Sequence, residues 1–175
     1  MKRSQKTAFC GVFTALAVVI MLTSYFPYVT YATPALGGIV FAAITIETDR
    51  KWAFGSYIAC SLLVMLLCEK EAATLFVGFF GYYCILKGVI EQYFRGILEH
   101  ILKHLVFSVS MIIGYAVIVF VFGIPFDESG QFGFWFALAM LVAGNIVFAI
   151  YDAGLTRVIG AYIYKFHPKI SRIFK

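Results

Sequence analysis

The chain has 175 residues, of which 62% are hydrophobic and only 13% are charged. Soluble domains carry about 25% charged residues, so this composition excludes an ordinary soluble domain and indicates a protein of the lipid bilayer. The net charge of +5 does not predict a nucleic-acid partner, because the basic residues lie at predicted helix ends and termini, where topology and anionic lipid account for them.

Uncharged runs long enough to cross a bilayer follow one another along the chain, since a helix needs roughly 20 residues to span about 30 Å of hydrocarbon. In the first run, Pro27 and Pro34 separate two helices by an aromatic loop. We therefore predict an all-α integral membrane protein that forms a single domain over 1–175. Its six transmembrane helices lie at about 6–26, 34–46, 52–68, 72–92, 105–123 and 132–151, followed by a cytoplasmic amphipathic tail at 152–175.

The basic residues predict the orientation, because lysine and arginine accumulate on the cytoplasmic side. With the N-terminus inside, the inner segments hold all but one of the 14 basic residues, and only Lys70 lies in an outer loop. Both termini are therefore expected in the cytoplasm, and the chain is expected to be a multi-pass protein of the cell membrane.

Enzyme motifs of the common membrane classes are missing from the sequence. It contains no phosphate-binding GxxxxGK[ST] loop, no HExxH, no GxSxG and no DxD. The four cysteines fall in apolar segments without metal-ligand spacing and are interpreted as small buried hydrophobic residues. We expect no enzyme activity, no metal and no cofactor.

Charged residues are predicted at the ends of the helices. All nine acids fall at predicted helix ends or in loops, and Lys87 is expected to snorkel from the end of its span. The inner stretch 91–104, with charges of alternating sign, suits a surface-lying helix or a docking face for a cytoplasmic partner. His100 and His104 are one turn apart, but without a third ligand a solvated face is favoured over a metal site.

Aromatic and polar residues are concentrated in the outer loops. Aromatic rings with a few polar groups suit a small-molecule pocket, but they also suit an aromatic belt at the lipid headgroups. Asn145, inside the last span, could form an interhelical hydrogen bond or contact a ligand. The candidate substrate-binding residues are Tyr28, Tyr31, Glu71, Gln131, Trp135 and Asn145.

Small residues form one face of the first helix. Ala8, Gly11 and Ala15 are spaced by three and four residues, so they share a side on which another helix can approach closely. The spacing fits packing within the chain at least as well as an interface with a partner.

The layout resembles the substrate-binding S-components of bacterial energy-coupling-factor vitamin transporters. The shared features are the size, six helices with both ends inside, and a loop after helix 1, here 23–33, that covers an outward-facing pocket. They also include a basic N-terminus, here Lys2, Arg3 and Lys6, and a small-residue face on helix 1. The family's AxxxA signature corresponds to Gly11–Ala15, with glycine for the first alanine.

The resemblance implies a subunit that binds a vitamin or similar nutrient from outside. Its helix 1 would contact a transmembrane scaffold subunit, and two ATPase subunits would supply the energy. The alternative is a non-catalytic membrane scaffold or assembly subunit without a substrate pocket, whose aromatic loops anchor in membrane lipid. No vitamin-specific motif is present, so the substrate is left open.

Overall fold

The computed structural model describes residues 2–26, 28–122, 130–166 and 168, and every regular element within those ranges is a helix. The helices are α1 (Arg3–Leu22), α2 (Ala32–Glu47), α3 (Arg50–Leu67), α4 (Lys70–Leu75), α5 (Gly81–Tyr93), α6 (Ile97–Phe122) and α7 (Gly130–Lys165). A 3-10 turn, Thr23–Tyr25, follows α1, and a π-helical segment, Phe76–Phe80, joins α4 to α5. The predicted all-α class is confirmed for the described part of the chain.

Five segments of the described chain are long and apolar enough to cross a membrane. They are Arg3–Tyr25, Arg50–Leu67, Lys70–Tyr93, Ile97–Gly114 and Leu138–Lys165. The remaining apolar helix, α2, has 16 residues and carries Pro34 in its first turn, where proline costs no helical hydrogen bond. These helices fit an all-α protein of the membrane.

Two helices differ in their bounds from the prediction. α6 begins at Ile97 rather than near 105, because the chain turns at Gly96 (φ 73°), a conformation that glycine adopts without strain. The stretch 97–104 is therefore the first part of α6 rather than a separate surface-lying helix. α7 continues past 151 to Lys165, so its residues 152–165 continue the last helix.

The two ends of the helix bundle differ in the residues that meet there. At the basic end, Lys6 near the start of α1 pairs with Asp49 before α3 at 2.5 Å, and the hydrogen bond lowers the pKa of this exposed carboxyl. At the opposite end, the loop end, the Tyr25 hydroxyl donates to the Leu67 carbonyl at 2.9 Å. The charged site described below lies toward the basic end.

Close packing at glycine brings α2 against the helix that runs through α4 and α5. A Cβ atom on Gly38 would lie 2.5 Å from the Phe80 carbonyl oxygen, so no larger residue fits there. The carbonyl of Val77, inside the π-helical segment, accepts a hydrogen bond from the Tyr57 hydroxyl at 2.7 Å. A π-helical segment interrupts the regular hydrogen bonds of an α-helix, and the Tyr57 hydroxyl supplies a donor to one of its carbonyl groups.

Aromatic rings fill the core between α5, α6 and α7. Phe79 stacks on Tyr83, with ring centroids 4.7 Å apart, and meets Phe148 of α7 edge to face at 5.4 Å. Phe107 of α6 stacks on Phe148 at 4.7 Å. This apolar layer holds the three helices together and directs the Tyr83 hydroxyl toward Asp152.

Candidate functional site: a buried ion network between α5, α6 and α7

Two lysines are buried between the last three helices, with only 1% of Lys87 and 2% of Lys103 exposed. Lys87 of α5 pairs with Asp152 of α7 and with Glu91 one turn further along α5, at 2.8 Å for the latter. Its third acceptor is the Thr156 hydroxyl at 2.9 Å. The Lys87 ammonium therefore has a partner for each of its three hydrogens.

Lys103 of α6 is held in the same way by three carboxylates. It lies 2.7 Å from Glu91, 2.7 Å from Glu99 and 3.4 Å from the second oxygen of Asp152. Glu91 and Asp152 thus each contact both lysines. We call Lys87, Glu91, Glu99, Lys103 and Asp152 the ion network.

Asp152 connects α7 to the network through both of its oxygens. Oδ1 accepts from Lys87 and from the Tyr83 hydroxyl at 2.7 Å, while Oδ2 faces Lys103. A charged residue inside an apolar helix is costly unless it is paired and hydrogen-bonded. Because Asp152 has these partners, α7 can continue past it without a break. The prediction that all nine acids lie at helix ends or in loops is therefore wrong for Asp152.

A cleft of about 450 Å³ borders the network. Its wall includes Glu91, Glu99, Lys103 and Asp152 of the network, and beside them His100, His104, Phe148 and Arg157. A volume of this size is within the range of small-molecule sites, roughly 300–1,000 Å³. The cleft combines charged groups with an aromatic residue, as ligand-binding clefts do.

Asn145 joins α7 to α6 beside the cleft. Its Oδ1 lies 2.9 Å from Nδ1 of His104, and its Nδ2 donates to the Ser108 hydroxyl at 3.1 Å. Asn145 therefore forms interhelical hydrogen bonds, one of the two interpretations that its sequence position offered. The His104 ring also meets Phe148 edge to face at 5.1 Å and lines the cleft. Asn145 therefore lies near the charged site and apart from Tyr28 and Tyr31, which were predicted to bind the same substrate.

The structure brings two of the predicted substrate-binding residues together at the loop end. The Tyr31 hydroxyl donates to Oε2 of Glu71 at 3.1 Å, and this hydrogen bond to a carboxylate raises the pKa of Tyr31. Tyr28 is 99% exposed and Trp135 is 67% exposed. The side chain of Gln131 lies outside the described residues.

The predicted interface residues Ala8, Gly11 and Ala15 are all exposed on α1. Gly11 and Ala15 line a groove of about 500 Å³ between α1 and α3, which also includes Trp52, Gly55 and Ala59. A Cβ atom on Gly11 would meet nothing within 4 Å. Within the described part of the chain, the small-residue face is therefore not used for close packing at Gly11.

The central residues of the ion network are ones that sequence analysis assigned to solvent or to a helix end. Lys87 and Glu91, and likewise Glu99 and Lys103, are four residues apart, a spacing at which opposite charges pair on a helix. That signal was present in the sequence. The pairing of both lysines with Asp152 was not, because it depends on how α5, α6 and α7 pack.

Among the described residues, no group of three or more His, Cys, Asp or Glu side chains is arranged to hold a metal ion. The acids of the network instead surround ammonium groups. Comparison of the chain with protein-family models, with curated proteins and with solved structures finds no match.

Proposed function

We propose that the chain is a multi-pass protein of the cell membrane with six spanning helices and its basic end in the cytoplasm. α2 is the short span, and α4, the π-helical segment and α5 together form one span, Lys70–Tyr93. The distribution of lysine and arginine supports this orientation, because these residues accumulate on the cytoplasmic side. Both termini then lie in the cytoplasm.

We further propose that the chain is the substrate-binding membrane subunit of an energy-coupling-factor type uptake transporter. It binds a small nutrient at the loop end and docks through α1 on a transmembrane scaffold subunit, which is joined to ATPase subunits. The observation that carries this proposal is the exposure of Ala8, Gly11 and Ala15 on α1. Small residues let two helices approach closely, and no helix that the structure describes covers these three.

The contrast with Gly38 supports an interface function for the α1 face. Gly38 is buried and has no room for a Cβ atom, as expected for a glycine that packs helices within the chain. Gly11 is exposed and has room around it. The difference favours a second chain as the partner of Gly11.

The Tyr31–Glu71 pair supports solute binding at the loop end. It places a phenol and a carboxylate together from segments forty residues apart, at 3.1 Å. A pair of this kind can orient a polar solute by donating and accepting hydrogen bonds. Solute entering from outside would meet this end first in the proposed orientation.

The double substitution of Gly11→Leu and Ala15→Leu tests the docking face. Because both positions are exposed, the thermal unfolding of the purified chain should stay unchanged, while co-purification with a co-expressed scaffold subunit and solute uptake should fall. Gly38→Ala is the matched control and should lower stability, since overpacking typically costs about 1–3 kcal/mol. Lost stability of the double variant with an undisturbed partner interaction would contradict the proposal.

A scaffold or assembly subunit without a substrate pocket is the second candidate. The exposure of Tyr28 and Trp135 favours it, because aromatic side chains of this kind anchor proteins at the lipid headgroups. Glu71→Gln separates the two functions. It should reduce solute uptake by a transporter subunit and leave the assembly of a scaffold unchanged.

A further inference from the structure

The ion network and its cleft have no part in docking through α1 or in solute binding at the loop end. Burying ions is a weak way to stabilise a fold, since well-packed apolar residues often do as well or better. Ionisable residues inside membrane spans more often belong to a functional site. The network therefore calls for a ligand or a transported charge as its explanation.

The network presents acceptors to the cleft. The side chains of Lys87 and Lys103 are only 1% and 3% exposed, and each ammonium is already surrounded by three oxygen atoms. The carboxylate side chains are more open, at 38% for Glu91, 20% for Glu99 and 12% for Asp152. A ligand in the cleft would therefore meet carboxylate oxygens rather than ammonium hydrogens.

Arg157 adds a donor to the same cleft. It is exposed, lines the cleft and forms no ion pair with any residue that the structure describes. Its guanidinium offers hydrogen bonds that match a carboxylate. The wall holds Lys103 and Arg157 beside the carboxylates of Glu91, Glu99 and Asp152. Lys87 does not line the cleft, but it pairs with Glu91 and Asp152, and with it the formal charges of the site balance.

We propose that this cleft binds a small zwitterion that carries an amine and a carboxylate. The amine contacts the carboxylates of the network, and the ligand carboxylate contacts Arg157. A bare cation or anion would leave an unbalanced charge at a site whose formal charges cancel once Lys87 is counted, whereas a zwitterion does not. A metal ion fits less well, because the described acids form no metal site and a cleft of about 450 Å³ exceeds the size of an ion.

The rest of the wall fits a ligand with a short apolar backbone. Phe148, Ala149 and Ala153 of α7 line the cleft beside Asp152. They offer apolar contact to the methylene groups between an amine and a carboxylate. This second site does not depend on the proposed transporter function, since it uses no residue of the α1 face or of the Tyr31–Glu71 pair.

Binding of a graded series of zwitterions to the purified full-length chain tests the proposal. Glycine, β-alanine, γ-aminobutyrate and 6-aminohexanoate vary the distance between amine and carboxylate, and calorimetry measures the Kd of each. At least one should bind in the millimolar range or tighter. Butylamine and butyrate, which each carry one of the two charges, should bind about tenfold more weakly or worse, because each loses a charged contact.

Variants identify the site within the chain. Arg157→Gln and Glu99→Gln should each raise the Kd of the best zwitterion about tenfold, as expected for the loss of a charged hydrogen bond. Thermal unfolding of Arg157→Gln should match the unmodified chain, because Arg157 is exposed. Arg95→Gln, at another exposed arginine, and Tyr31→Phe, at the loop end, are controls that should leave the Kd unchanged.

Three outcomes would overturn the proposal. The first is that no zwitterion of the series binds, which would make the network a purely structural device. The second is that butylamine binds as tightly as γ-aminobutyrate, which would make the cleft a cation site. The third is that Arg157→Gln leaves the Kd unchanged. None of these outcomes bears on docking through α1, which the Gly11→Leu and Ala15→Leu variant tests separately.

Discussion

The basic end and the loop end of the bundle use polar residues in opposite ways. Toward the basic end, Lys87, Lys103 and Asp152 are buried and pair with one another across α5, α6 and α7. At the loop end, the Tyr31–Glu71 hydrogen bond is exposed. The same kinds of polar group therefore hold helices together at one end and stay open to the surroundings at the other.

The difference follows from the cost of burying charge. A buried ammonium or carboxylate must keep its partners, so the loss of one partner is expensive. An exposed polar group can exchange its partner for water at little cost. Substitutions in the ion network should therefore lower the stability of the chain. Substitutions of the exposed polar residues at the loop end should change mainly local hydrogen bonds and pKa values.

The largest expected effect is that of Asp152→Asn. The substitution removes the negative charge that faces both buried lysines, and breaking a buried ion pair typically costs about 3–5 kcal/mol. Unfolding in detergent by heat or denaturant measures the loss. Glu71→Gln at the loop end is the control and should change stability by less than about 1 kcal/mol. Equal stability of the two variants would remove the distinction between the ends.

A matched pair of tyrosine substitutions measures the same contrast for a single hydroxyl. Tyr83 and Tyr31 each donate to a carboxylate, at 2.7 Å and 3.1 Å, but Tyr83 is buried and Tyr31 is 68% exposed. Tyr83→Phe removes one of the two donors to Oδ1 of the buried Asp152 carboxylate and should cost about 1–3 kcal/mol. Tyr31→Phe should cost less than about 1 kcal/mol. The reverse order in unfolding experiments would contradict the burial of the network.

The smallest expected effect is a shift in the titration of Tyr31. The hydrogen bond to Glu71, and then the negative charge of Glu71, raise the pKa of the Tyr31 phenol. The bond therefore contributes its full stability below the ordinary tyrosine pKa of about 10 and loses it as the pH rises through the raised pKa. NMR of ring-labelled tyrosine measures the titration. Glu71→Gln should move the pKa of Tyr31 back down, and an unchanged pKa would show that the pair does not form.

The sequence was enough to predict the helical class and most of the long apolar helices, because uncharged runs and prolines mark them directly. The helix predicted at 72–92 is found as the continuous segment Lys70–Tyr93. The π-helical segment within it was not predicted, since no residue pattern there differs from that of an ordinary helix. The early start of α6 has a local signal, Gly96, that marks the break before it.

The site was predictable only in its local parts. The spacing of Glu99 and Lys103 predicts a pair on one helix, and the structure contains it. Asp152 was assigned to a tail because a lone charge in an apolar run is a sensible place to end a span. Its burial depends on Lys87 and Lys103, which lie more than forty residues away and reach it only after the helices pack.

The proposed topology places the two ends on opposite sides of the membrane, and thiol labelling in intact cells tests this proposal most directly. The native cysteines are first replaced, and single cysteines are introduced at Tyr28 of the loop end and Lys51 of the basic end, both of which are exposed. An impermeant maleimide should label the cysteine at position 28 in intact cells and label the cysteine at position 51 only after the membrane is opened. Labelling of position 51 in intact cells would contradict the account.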